Sequence, residues 1–101
     1  MTAYWINTFR SVSDERRLAA YAALAGPLML AGGGRFLARG TPAAAFEAGV
    51  VERTTVIEFP SVEAAVATYE SPAYQAALEV LGDAAVRDIR IVPGVSGPAP
   101  G

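Results

Sequence analysis

Cysteine, histidine and lysine are all missing from this 101-residue sequence. Without cysteine there is no disulfide, no thiolate nucleophile and no thiolate metal ligand. Without histidine there is no Ser-His-Asp triad, no imidazole-ligated haem and none of the usual zinc sites. Without lysine there is no amine for Schiff-base chemistry or general-base work. Any chemistry therefore falls to carboxylates, phenols, guanidinium groups, hydroxyls and backbone amides. No metal and no cofactor are expected, and no catalytic residue can be named from composition.

Positive charge is scarce as well. Eight arginines face ten acidic residues, for a net charge of −2. No basic stripe with interleaved aromatics exists, so neither nucleic acid nor an anionic membrane is an expected partner. The longest apolar run, Leu18 to Leu30, is broken by Tyr21, Gly26 and Pro27 and is too short to span a bilayer. Met1 to Asn7 shows no signal-peptide pattern, so a cytoplasmic location is the expectation.

What the chain does have is apolar residues, 52% of the total. That share is high for one domain of ordinary size with so much surface per unit volume. Much of it is alanine, yet the surplus still points to a buried surface beyond the monomer core. A homodimer interface is the simplest account.

Ala3 to Arg10 is aromatic and β-branched and reads as a strand. Its faces are Tyr4/Ile6/Thr8/Arg10 and Ala3/Trp5/Asn7/Phe9. Ser13 can cap a helix that begins at Asp14 and Glu15. Leu18, Tyr21, Ala22, Ala25, Leu28 and Met29 recur at helical spacing, with a kink expected at Pro27 and a stop at Gly32-Gly33-Gly34. Arg35 to Arg39 reads as a second strand, Ala43 to Ala48 as resumed extended structure, and Val50 to Phe59 as a third strand. Ser61 caps a second helix, Ser71-Pro72 breaks and restarts it, and Asp88 to Val92 is the fourth strand. Residues 1–95 form one domain, and residues 96–101 close a Pro- and Gly-rich stretch read as a flexible tail.

The order βαββαβ is that of the ferredoxin-like α+β fold, a four-stranded antiparallel sheet with its helices on one face. The other face stays bare and must meet something. A second copy of the chain is the expected partner.

Three constellations could carry chemistry. A hairpin turning at Ala48-Gly49 would set Arg39 opposite Glu58, either as a plain cross-strand ion pair or as an anion-binding arginine steadied by a carboxylate. Tyr69 and Tyr74 stand five residues apart across the Ser71-Pro72 break. They either pack their rings at a helix junction or offer hydroxyls to a ligand. Gly32-Gly33-Gly34 follows a helix rather than preceding one, so it reads as a turn and not as a phosphate cradle.

Three segments carry a family resemblance. They are Gly33-Gly34-Arg35-Phe36-Leu37-Ala38-Arg39-Gly40, then Ile57 to Ser61 with Glu63-Ala64-Ala65, then Tyr69-x-Ser71-Pro72-x-Tyr74-Gln75. In order and spacing they resemble the "domain of unknown function 1330" family of small bacterial proteins in the dimeric α/β-barrel superfamily. The resemblance implies a ferredoxin-like protomer whose sheet packs on a partner's to close a barrel. It implies a small-molecule pocket between sheet and helices, with Arg39, Glu58, Tyr69 and Tyr74 as ligand-binding candidates for a small anionic or aromatic ligand. The superfamily also holds cofactor-independent monooxygenases and isomerases, as well as dimers that only sense ligands or serve structure. Gly32 stands where relatives often carry histidine, Phe36 replaces a common tyrosine, and Thr41 replaces a second glycine.

Overall fold

The computed structural model describes residues 1–95, in the order β1 (Ala3–Val12), α1 (Glu15–Ala31), β2 (Arg35–Gly40), β3 (Thr54–Phe59), α2 (Val62–Glu70), α3 (Pro72–Leu81) and β4 (Ala85–Pro93). The tail expected over 96–101 lies outside the described residues. The strands pair antiparallel in the order β2-β3-β1-β4, the ferredoxin-like arrangement. Along β1, the residues Ala3, Trp5, Asn7 and Phe9 are buried, while Tyr4, Ile6 and Thr8 are half-buried. β3 alternates the same way, with Thr55, Ile57 and Phe59 inward. The helices therefore cover one face, and a thickness of 15 Å leaves room for two layers and no third. No helix among the described residues is long and apolar enough to cross a membrane.

The core is aromatic at its centre. Trp5, Tyr74 and Phe59 are the largest fully buried side chains. The Trp5 ring centre lies 5.9 Å from Phe59, 5.7 Å from Tyr69 and 5.5 Å from Tyr74, the last edge-to-face.

Local chemistry explains most element boundaries. Asp14, not Ser13, caps α1: its carboxylate accepts from the backbone N–H groups of Arg16 and Arg17. Ser13 is tied instead to the turn that precedes β4, its hydroxyl donating to the Asp83 and Ala84 carbonyls. Pro27 sits inside one unbroken helical span. At the α1–β2 reversal Gly33 has φ 95°, and a Cβ on Gly34 would lie 2.9 Å from the Phe59 ring. Glycine is what allows the strand to start that close to the sheet. Ser71 ends α2 and caps α3, with Pro72 in the first turn where its missing N–H costs nothing.

Two sequence expectations fail between β2 and β3. Ala43 to Ala48 forms no strand, and β3 starts at Thr54 rather than Val50. Pro42 has no N–H for a ladder, and the alanines after it carry little to pack on a pleated surface. The hairpin therefore does not turn at Ala48-Gly49. The register sets Arg35 opposite Glu58 and Arg39 opposite Thr55, with an irregularity between Phe36 and Ala38. The expected Arg39–Glu58 pair does not exist. β4 also begins three residues earlier than read, which takes Arg87 into the strand.

Candidate functional site

The irregularity at Leu37 decides which way β2 points its side chains. Because one residue is skipped in the pairing, Phe36 and Arg39 fall opposite the inward residues Ile57 and Thr55. Arg39 thus joins the helix side of the sheet, its guanidinium 4.8 Å from the centre of the Phe36 ring. Glu58 faces the bare side, where it accepts from Arg35 at 3.0 Å and from the Tyr4 hydroxyl at 3.4 Å.

Between β1, β3 and β2 on one side and α1 on the other lies a groove of about 310 Å³. It exists because α1 turns Ala19, Ala22, Ala25 and Gly26 toward it, residues with almost no side chain to fill the gap. Trp5, Phe9, Met29, Phe36 and Ile57 make it largely apolar. At its floor Asn7 and Thr55 lie opposite each other across the ladder, both buried. The Asn7 Oδ1 atom has no hydrogen-bond partner among the described residues. Such an orphan acceptor costs about 1–3 kcal/mol unless something supplies a donor.

Two arginines line the same groove. Arg53 is paired with Glu15 at 3.3 Å. Arg39 is exposed and has no carboxylate partner among the described residues.

The four sequence-predicted site residues do not converge. Arg39 lines this groove, and Glu58 is on the opposite face of the sheet. Tyr69 lines a second cavity between α2, α3 and β4. Tyr74 is wholly buried, its ring 5.1 Å from that of Tyr69. Its hydroxyl meets Tyr21 at 2.6 Å, and Arg87 donates to Tyr21 at 2.9 Å and to Tyr74 at 3.4 Å.

Sequence reasoning missed Asn7, Tyr21 and Arg87. The signal for Asn7 was there: it is the polar member of the stripe Ala3/Trp5/Asn7/Phe9. Arg87 was hidden by starting β4 too late, which cut it off from its own stripe with Ile89 and Ile91. Gly32 is backed so closely by Thr68 that a Cβ added there would collide with that hydroxyl.

Burial pushes the Tyr74 phenol well above its ordinary value of 10.0, and the neighbouring Tyr21 adds to the shift. Burial alone would lower Arg87, but the two phenols outweigh it and hold the guanidinium above its usual value. The sign for stability follows from the raised phenol. Up to about pH 10 both states keep the Tyr74 proton, and above it only the unfolded chain releases it. Urea unfolding from pH 8 to 11 is expected to show stability falling above about pH 10, with a shallower fall in Tyr74→Phe. Equal slopes for the two proteins would remove this account.

Solved structures place the fold among known proteins. A protein of unknown function from Rhodopseudomonas palustris is 20% identical, with TM-score 0.71 over 95% of this chain and 84% of that one. Hydroxynitrile lyase from Passiflora edulis is 15% identical, with TM-score 0.69 over 96% and 97%. A dimeric ferredoxin-like protein of unknown function from Thermobifida fusca is 20% identical, with TM-score 0.59 over 90% and 89%. At these identities the likeness is one of fold. No curated protein matches the sequence. The family described as Domain of unknown function (DUF1330) matches residues 2–95, nearly the whole chain, and this protein belongs to it.

Proposed function

We propose that the protein is a homodimer in which each protomer binds a small, mostly apolar molecule in the groove beneath α1. The observation that carries this reading is Asn7, a buried amide at the groove floor whose Oδ1 lacks a donor among the described residues. The ligand supplies that donor, an O–H or N–H, from an aromatic or aliphatic body sized for about 310 Å³. Arg39, free of any carboxylate partner among the described residues, receives an anionic or carbonyl end. Tyr69, Tyr74 and Glu58 act at a distance: the two phenols pack behind Trp5, and Glu58 orders the bare face.

The dimer reading rests on that bare face. Tyr4, Ile6, Val56 and Val92 form its apolar centre, flanked by the Arg35–Glu58 and Arg10–Asp88–Arg90 ion pairs.

A thermal-shift screen of small carboxylates and small aromatic hydroxy compounds tests the binding reading. A ligand at a hundred times its Kd stabilises by about 2.7 kcal/mol, or at least about 11 °C for a domain this size. Arg39→Ala is expected to lose most of the shift given by aromatic carboxylates, and Ala22→Phe, which fills the groove, to lose the shift given by the aromatic hydroxy compounds as well. No stabiliser at all, or variants that respond like the parent, would end the proposal. Cofactor-independent proton transfer or oxygenation is the second reading, favoured by Tyr21, which lines the groove with its hydroxyl held by Arg87 and Tyr74. Mass spectrometry of the recovered ligand separates the two: an unchanged molecule means binding, a converted one means catalysis.

A further inference from the structure

Arg87 projects from β4 on the helix side, in line with Ile89 and Ile91, and lines the second cavity, of about 590 Å³. It is half-buried, and no carboxylate pairs with it among the described residues. Its two hydrogen bonds go to phenol oxygens, which bring donors of their own. Of five guanidinium N–H groups, two are used on Tyr21 and Tyr74, which leaves three. The two hydroxyls share one hydrogen bond, so one O–H of the pair is also left over. The cluster is therefore rich in donors, short of acceptors and carries an unbalanced positive charge. The guanidinium also lies 4.8 Å from the centre of the Tyr21 ring, which offsets part of its desolvation but supplies no acceptor.

We propose that Arg87 is the anchor of a second ligand site, distinct from the groove beneath α1, that takes a monocarboxylate with a medium-length apolar body. The carboxylate supplies two acceptors in the plane of the guanidinium fork and cancels its charge. The apolar body runs along Val66, Leu78, Ile89 and Ile91, which line the same cavity. Glu70, exposed and also part of the lining, repels a multiply charged anion, so a phosphate is a poor occupant.

Octanoate is the probe, followed by calorimetry and by the arginine Nε–Hε resonances of ¹⁵N-labelled full-length protein. Saturable binding is expected, with the largest shift at the resonance that Arg87→Met deletes. Octanamide, the neutral isostere, is expected to bind at least tenfold more weakly. Val66→Trp, which blocks the cavity without touching the cluster, should abolish the octanoate shift at Arg87, and Arg87→Met should abolish the octanoate binding that remains in Ala22→Phe. Arg39→Ala and Ala22→Phe, which disable the groove beneath α1, should leave the octanoate shift at the Arg87 resonance unchanged, which separates the two sites. The proposal is overturned if octanamide or inorganic phosphate shifts Arg87 as strongly as octanoate does, or if Val66→Trp keeps the octanoate shift at Arg87. Should Arg87→Met fail to fold, Val66→Trp and the amide comparison decide the matter alone.

Discussion

Trp5→Ala is expected to lower stability by about 3–5 kcal/mol, the usual cost of emptying a large aromatic site in a core. Trp5 is 1% exposed and stands at the contact of Phe59, Tyr69 and Tyr74. It thus joins β1 to β3 and to both C-terminal helices. Against a total of about 5–15 kcal/mol for such a domain, the loss is a large fraction. The melting temperature should fall by at least about 12 °C. Trp5→Phe, which keeps a ring in the site, should recover much of it. Calorimetry checks both variants, and a drop of under about 1 kcal/mol for the alanine would mean that the aromatic cluster is not the centre of the core.

Ile6→Asp is expected to turn the proposed dimer into a monomer without unfolding it. Ile6 lies between Val56 of β3 and Arg90 of β4 on the bare face of the sheet, away from the helices. A carboxylate there stays hydrated in the monomer, so circular dichroism should hardly change. In the dimer it would have to be buried against an apolar partner face, at a cost of several kcal/mol. Light scattering coupled to size exclusion should give the mass of two chains for the parent and one for the variant. A parent protein that elutes as a single chain at micromolar concentration would remove the dimer from the account.

Particular residues show how far the sequence could be read. Helix periodicity, the Ser61 cap and the Ser71-Pro72 break were legible because each depends on neighbours within a turn or two. The alternation along β1 was legible for the same reason, since side-chain direction in a strand follows the pleat. The pairing of β2 with β3 was not. It depends on a 13-residue connection, residues 41–53, and on one skipped residue at Leu37. That single residue sends Arg39 to the helix side and leaves Glu58 on the other.

The candidate sites divide along the same line. Composition alone removed histidine, cysteine and lysine chemistry, and the periodicities alone supplied a βαββαβ order with one sheet face uncovered. Only the tertiary structure revealed that, among the described residues, Asn7 is an orphaned acceptor and Arg87 has phenols for company and no carboxylate, and that Tyr69 and Tyr74 flank Trp5 rather than close a pocket around Arg39. Local order follows from short-range backbone and capping energetics, which a sequence carries in its spacing. A site is a meeting of side chains from distant segments, and register, bulges and small residues left facing a gap decide which of them meet.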